Sequence, residues 1–164
     1  MFPAPLIDEA GRLIGAFRAR GAKIVTAESC SGGLLAAVLT EIAGSSDVLE
    51  RGFVTYSNAA KQQELGVAAE LLARHGAVSA EVAQAMAAGA LARAGADVAI
   101  SITGIAGPGG GSATKPVGLV YLGAAVVGRP ATHVECRFGD LGRAAIRQKS
   151  IEAAFALLWQ ALAA

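Results

Sequence analysis

Apolar residues near the start of the chain recur at helical spacing. Leu6, Ala10, Leu13, Ile14 and Phe17 share one face, Arg18 and Arg20 follow in the last turn, and Gly21 fits the left-handed position past a helix end. Lys23 to Ala27 then predicts a short buried strand. A second helix follows it, capped by Ser29 or Ser31 and running to about Ile42. Gly44-Ser45-Ser46-Asp47 is a turn, Gly52 to Tyr56 a strand, and Ala59 to Leu65 a short helix. Another short helix carries Leu71, Leu72 and His75 and stops at Gly76. Ser79 caps a helix to about Ala94, with Val82, Met86, Ala90 and Leu91 on one face and Gly95 at its end. The continuous apolar run Val98 to Ile102 predicts a central strand. Val117 to Val126 and Thr132 to Phe138 form a strand pair around Gly128-Arg129-Pro130. The last helix spans about Gly142 to Ala161, with Ile151, Phe155, Leu158 and Leu162 on its buried stripe.

Strands alternating with helices, then two strands in succession, predict a layered α/β domain with a mixed sheet. No repeat, low-complexity linker or internal boundary interrupts residues 1–164, and that length fits one domain with a real core. In such folds ligands bind at the carboxyl ends of the strands.

Charge narrows the partners. Fourteen Lys+Arg against thirteen Asp+Glu leave a net charge of +1, so there is no global basic field for nucleic acid, and any anion site is local. The longest apolar run, Val117 to Val127, is too short to span a bilayer, and the first residues lack the basic start and apolar stretch of a signal peptide. Cys30 and Cys136 have no metal-type spacing, and His75 and His133 stand alone. The expectation is a reduced, cytoplasmic, metal-free protein without membrane association. An alanine-rich helical surface leaves room for a homo-oligomer, with a dimer as the expectation.

Two glycine-punctuated loops carry the candidate chemistry, each following a predicted strand. In Thr26-Ala27-Glu28-Ser29-Cys30-Ser31-Gly32-Gly33, a strand enters a helix through hydroxyls and glycines. Amides at a helix start bind phosphate or stabilise an oxyanion, and Gly32 and Gly33 allow close approach to the backbone. An ordinary capped helix start explains this loop equally well. It is neither a Walker A motif nor a Gly-x-Ser-x-Gly elbow. Cys30 reads better as a buried inert thiol than as a nucleophile.

The second loop, Thr103-Gly104-Ile105-Ala106-Gly107-Pro108-Gly109-Gly110-Gly111, has five glycines in positions 104 to 111, more than a tight turn needs. Its run of backbone donors suits an anion nest, with Ser112, Thr114 and Lys115 on the polar rim. Between the loops lies Tyr56-Ser57-Asn58-Ala59-Ala60-Lys61. On spacing alone Lys61 is a surface charge. If it faces Ser29, a lysine held neutral by burial becomes the base that a serine nucleophile needs. Tyr56 then relays the proton or orients the lysine, or else packs in the core. Arg143 and Arg147, one turn apart, form either a clamp for phosphate or carboxylate or a solvated face.

Taken together, these motifs resemble the CinA C-terminal domain family. The resemblance is carried by Ala27 to Gly33, Arg51-Gly52-Phe53-Val54-Thr55-Tyr56-Ser57-Asn58, Lys61, His75-Gly76-Ala77-Val78-Ser79, Thr103 to Gly110, and Lys115-Pro116-Val117-Gly118. It covers nearly the whole chain in order. It implies a three-layer α/β/α single domain with a mixed, mostly parallel sheet. It also implies amidohydrolase activity converting nicotinamide mononucleotide (NMN) to nicotinate mononucleotide and ammonia, with no metal or organic cofactor.

By motif, Ser29 corresponds to the nucleophile, Lys61 to its base and Tyr56 to the third member of the constellation. The substrate-contacting set implied is Ser31, Gly32, Gly33, Asn58, Thr103, Gly104, Ala106, Gly107, Gly109 and Arg143. Two departures matter. Ser31 stands where the family commonly has Thr, which leaves open which serine attacks. Leu141-Gly142 intervene before Arg143, which leaves its role open. Some family members carry an additional N-terminal nucleotide-processing domain, for which this chain has no room. The rival expectation is a non-catalytic nucleotide-binding regulatory module linked to competence or DNA damage.

Overall fold

The computed structural model describes residues 2–163; Met1 and Ala164, the ends of the expected domain, lie outside the described residues. In chain order the elements are α1 (Ala4–Ala19), β1 (Ile24–Glu28), α2 (Leu34–Thr40), a 3-10 turn (Ser45–Asp47), β2 (Leu49–Val54), α3 (Asn58–Leu65), α4 (Ala69–His75), α5 (Ala80–Ala94), β3 (Val98–Gly104), β4 (Leu119–Val126), β5 (Thr132–Arg137) and α6 (Arg143–Ala163). The five strands form one sheet in the order β2-β1-β3-β4-β5. β1 pairs in parallel with β2 and β3, while β4 runs antiparallel to both β3 and β5. Only β4 is therefore reversed, and the mixed, mostly parallel sheet follows.

The two faces of the sheet differ in bulk. Ile24, Val98, Ile100, Ile102, Val120 and Leu122 point to one side and pack with buried residues of α1, α2 and α6, among them Leu13, Phe17, Leu39, Ile151 and Leu158. The other face carries the smaller Val25, Ala27, Ala99 and Ala125, against Met86, Ala87 and Ala90 of α5 and Leu65 and Leu72 of α3 and α4. Small residues let α5 lie close: Ser101 Oγ donates to the Ala83 carbonyl at 2.6 Å. A Cβ on Gly123 would stand only 2.2 Å from that same oxygen. The result is the three-layer α/β/α domain.

Some boundaries move. The strand expected at Gly52 to Tyr56 is Leu49–Val54. It is an edge strand, exposed at Glu50, Arg51 and Gly52, and is defined by its ladder with Ile24–Glu28 rather than by an apolar run. Thr55 and Tyr56 thereby leave the sheet and lead into α3. The α2 cap is also corrected: neither Ser29 nor Ser31 caps it, and Gly33, at φ +91°, occupies the cap position.

Candidate active site

β1 and β3 are parallel neighbours, so the loops that leave their carboxyl ends lie side by side. Between them is an open cleft of about 220 Å³, lined by Ser29, Cys30, Tyr56, Arg143 and the glycine loop from Gly104 to Gly110. Pockets that enclose whole drug-sized ligands run to about 300–1,000 Å³. This cleft is smaller than that and open to solvent.

Ser57 starts α3, its hydroxyl accepting from the Ala60 amide at 3.0 Å. One turn on, the helix turns Lys61 inward. Its side chain is 1% exposed, beneath Ser29. Lys61 Nζ lies 2.9 Å from Ser29 Oγ, 2.8 Å from the Thr55 carbonyl and 3.4 Å from the Tyr56 carbonyl. No carboxylate pairs with Lys61 among the described residues. Burial without a counter-charge pushes its pKa below the ordinary lysine value. A neutral amine fits these neighbours. As an ammonium, Nζ donates to all three oxygens; as a neutral amine it keeps two N–H donors and a lone pair that can take the Ser29 hydroxyl proton.

The other two candidate nucleophiles, Ser31 and Cys30, differ from Ser29 in placement. Ser31 is fully buried, its hydroxyl has no partner, and it does not line the cleft. Cys30 lines the cleft, but burial pushes its thiol pKa up to about 11. At neutral pH it stays a thiol, and thiols are poor nucleophiles. Cys30→Ala is expected to keep kcat close to the parent value. Steady-state kinetics check this, and a loss as large as that of Ser29→Ala would assign the attack to sulfur.

Tyr56 is not core: the residue is 60% exposed. Its hydroxyl accepts from Arg143 Nη2 at 2.9 Å, and Arg143 Nη1 donates to the Gly107 carbonyl at 3.0 Å. Tyr56 meets Lys61 through its carbonyl and not its phenol. Arg143, at the start of α6, bridges the two sides of the cleft and forms no ion pair among the described residues. Its two acceptors are neutral, so its charge is free to meet an anion. Arg147 points the other way and donates to the Ser31 carbonyl at 2.8 Å.

The expected contact set divides. Gly104, Ala106, Gly107, Gly109 and Arg143 line the cleft with Ser29 and Tyr56, whereas Ser31, Gly32, Gly33, Asn58 and Thr103 do not. Thr103 donates to the Ala77 carbonyl at 2.8 Å, below the cleft. The start of α2 is closed as an anion site. The Glu28 carboxylate accepts from the amides of Gly33, Leu35 and Ala36 at 3.0, 3.1 and 2.9 Å, and Leu34 donates to the Ser31 carbonyl at 3.3 Å. Sequence reasoning missed Glu28; an acid one residue before Ser29, ahead of a glycine pair and an apolar run, was the available signal. Within the two loops, residues 29–33 and 104–111, the amides of Cys30, Ser31, Ala106, Gly107, Gly109, Gly110 and Gly111 have no oxygen acceptor among the described residues.

The CinA C-terminal domain matches residues 8–162. The chain is 56% identical over 146 residues to the nicotinamide-nucleotide amidohydrolase PncC of Escherichia coli K12, covering 88% of this chain and 87% of that one. It is 54% identical to a CinA-like protein of Syntrophobacter fumaroxidans, of which the match covers 34%. Among solved structures, the competence/damage-inducible protein CihA from Agrobacterium tumefaciens superposes with a TM-score of 0.96 at 50% identity, covering 98% of both chains. A CinA-superfamily protein from Escherichia coli superposes at 0.90 with 33% identity, covering 98% of this chain and 93% of that one. No helix among the described residues is long and apolar enough to cross a membrane. The sequence match across nearly the whole length, on this fold and around this cleft, makes the chain a member of the CinA C-terminal domain family.

Proposed function

We propose that this chain is a nicotinamide-nucleotide amidohydrolase that converts NMN to nicotinate mononucleotide and ammonia through Ser29 and Lys61. The observation that carries the reading is a buried lysine without a counter-charge, 2.9 Å from a serine hydroxyl on the wall of the cleft. The 56% identity to PncC supports the choice of substrate.

Neutral Lys61 takes the Ser29 proton as Oγ attacks the carboxamide carbon. The Cys30 amide follows the nucleophile directly and has no oxygen acceptor of its own, which suits it to the developing oxyanion; such a donor is worth about 3–4 kcal/mol in other hydrolases. The Lys61 ammonium returns the proton to the departing nitrogen, the C–N bond breaks, and ammonia leaves an ester on Ser29. Water, deprotonated by Lys61, attacks that ester, and the proton passes to Ser29 Oγ as the acid departs. The pyridinium of NMN is cationic, so an ammonium at Lys61 would repel it and a neutral amine does not. No metal or organic cofactor enters these steps.

Arg143 and the free amides of the Gly104–Gly110 loop are assigned to the phosphate, with Tyr56 holding Arg143 across the cleft. Hydrogen bonds to charged groups contribute about 1.5–3 kcal/mol, so Arg143→Ala is expected to raise KM for NMN about tenfold to a hundredfold with little change in kcat. A fall in kcat at constant KM would instead put Arg143 at the reacting group.

The proposal is tested by incubating purified protein with NMN and measuring ammonia and nicotinate mononucleotide, without added metal. Equal release of both supports it. Calorimetric binding of NMN without release favours the second reading, a regulatory nucleotide-binding module, whose support is the closed internal pairing of much of the first loop. The cytoplasm and a homodimer remain the proposed setting and assembly.

A further inference from the structure

We propose that Glu28 is a positioning residue: its carboxylate clamps the nucleophile turn onto the start of α2 and so fixes where Ser29 stands. The proposal rests on Ser29 being the nucleophile.

Glu28 is the last residue of β1 and is fully buried. A buried carboxylate is costly unless its charge is met. No cation meets this one among the described residues. It is held by backbone donors: Oε2 accepts from Gly33 and Leu35, and Oε1 from Ala36. These lie at the positive end of α2, where a negative charge is favoured. With the Leu34 amide on the Ser31 carbonyl, all four amides that a helix start leaves unpaired are used.

The consequence falls on residues 29–33. At one end the Ser29 amide donates to the Ile102 carbonyl at 2.9 Å, which ties the nucleophile to β3. At the other, Gly33 is tied to Glu28. Gly32 donates back to the Ser29 carbonyl at 3.0 Å, and Arg147 of α6 holds the Ser31 carbonyl. The Glu28 side chain joins the residue before the nucleophile to the helix after it, so that five residues close into a fixed loop. It also takes the Gly33, Leu35 and Ala36 amides that an incoming anion would otherwise find.

Glu28→Gln keeps the size and one accepting oxygen. That oxygen can serve Gly33 and Leu35, but the amide nitrogen then faces the Ala36 N–H, donor against donor. A misplacement on the order of 1 Å costs about a hundredfold in rate. Glu28→Gln is expected to lower kcat about tenfold to a hundredfold with KM near the parent value, and Glu28→Ala to lower it further. Circular dichroism and the thermal midpoint report the fold. A folded Gln variant with parental kcat overturns the proposal, as does a change confined to KM. Failure of Gln to fold assigns Glu28 to stability alone and overturns it equally. Amide exchange in the substrate-free parent is a second arm: slow exchange at Gly33, Leu35 and Ala36 is expected, and fast exchange contradicts the clamp. That arm needs no substrate, so it stands apart from whether the parent hydrolyses NMN.

Discussion

Ser29→Ala is expected to lower kcat for NMN by a factor on the order of 10⁵ to 10⁶, while Ser31→Ala keeps most of the parental rate; loss of a serine nucleophile in a hydrolase has about that effect. The contrast follows from position. Ser29 lines the cleft with the Lys61 amine 2.9 Å from its Oγ, whereas Ser31 is buried and does not line the cleft. Removing Oγ also removes an acceptor near Lys61 Nζ, but the Thr55 and Tyr56 carbonyls remain, so the fold is expected to persist. Ammonia release at saturating NMN reads the result. Normal turnover in Ser29→Ala with loss in Ser31→Ala would reverse the assignment.

Lys61→Met is expected to lower kcat about 10²- to 10⁴-fold, the usual contribution of a positioned general base. Methionine matches the apolar stem and has no proton acceptor of comparable strength. Because Ser29 and Lys61 act as a unit, the double variant should be little worse than Ser29→Ala alone. Burial holds the Lys61 pKa below its ordinary 10.5, so the parent rate should rise with pH through that lowered value as the base form appears. Stability follows the same group. Between the lowered folded value and the unfolded value the unfolded chain holds the extra proton, so stability should rise with pH across that window. A kcat for Lys61→Met within a few-fold of the parent, with its pH profile unchanged, would remove Lys61 from the chemistry.

Much of this was legible in the residues, for physical reasons. Element types followed hydrophobic period, and helix ends followed Gly21, Gly76 and Gly95. The grouping of Ser29, Tyr56 and the glycine loop followed from both loops leaving parallel strands at the same end. Three things were not legible. The burial of Lys61 depends on how α3 sits over the end of β1, which no local pattern encodes. The start of β2 was missed because an edge strand is held by its ladder and reads as polar at Glu50 and Arg51. Glu28 was passed over because a hydroxyl is the common helix cap, and a carboxylate reaching forward from the preceding strand is a tertiary contact. The same contact takes the Gly33 amide, while the Gly32 amide turns back to the Ser29 carbonyl. Tyr56 differs in another way: its phenol turned outward to Arg143, and only its carbonyl reached Lys61.

The central claim is an acyl-enzyme on Ser29, and hydroxylamine tests it most directly. Purified protein would be given NMN with rising hydroxylamine, and ammonia, acid and hydroxamate products measured against a control without enzyme. An ester on Ser29 partitions between water and hydroxylamine, so the account predicts that the hydroxamate rises at the expense of nicotinate mononucleotide, and that both vanish in Ser29→Ala. Acid as the only product at every hydroxylamine concentration, with ammonia release unchanged, would mean that water attacks the amide directly and would contradict the account.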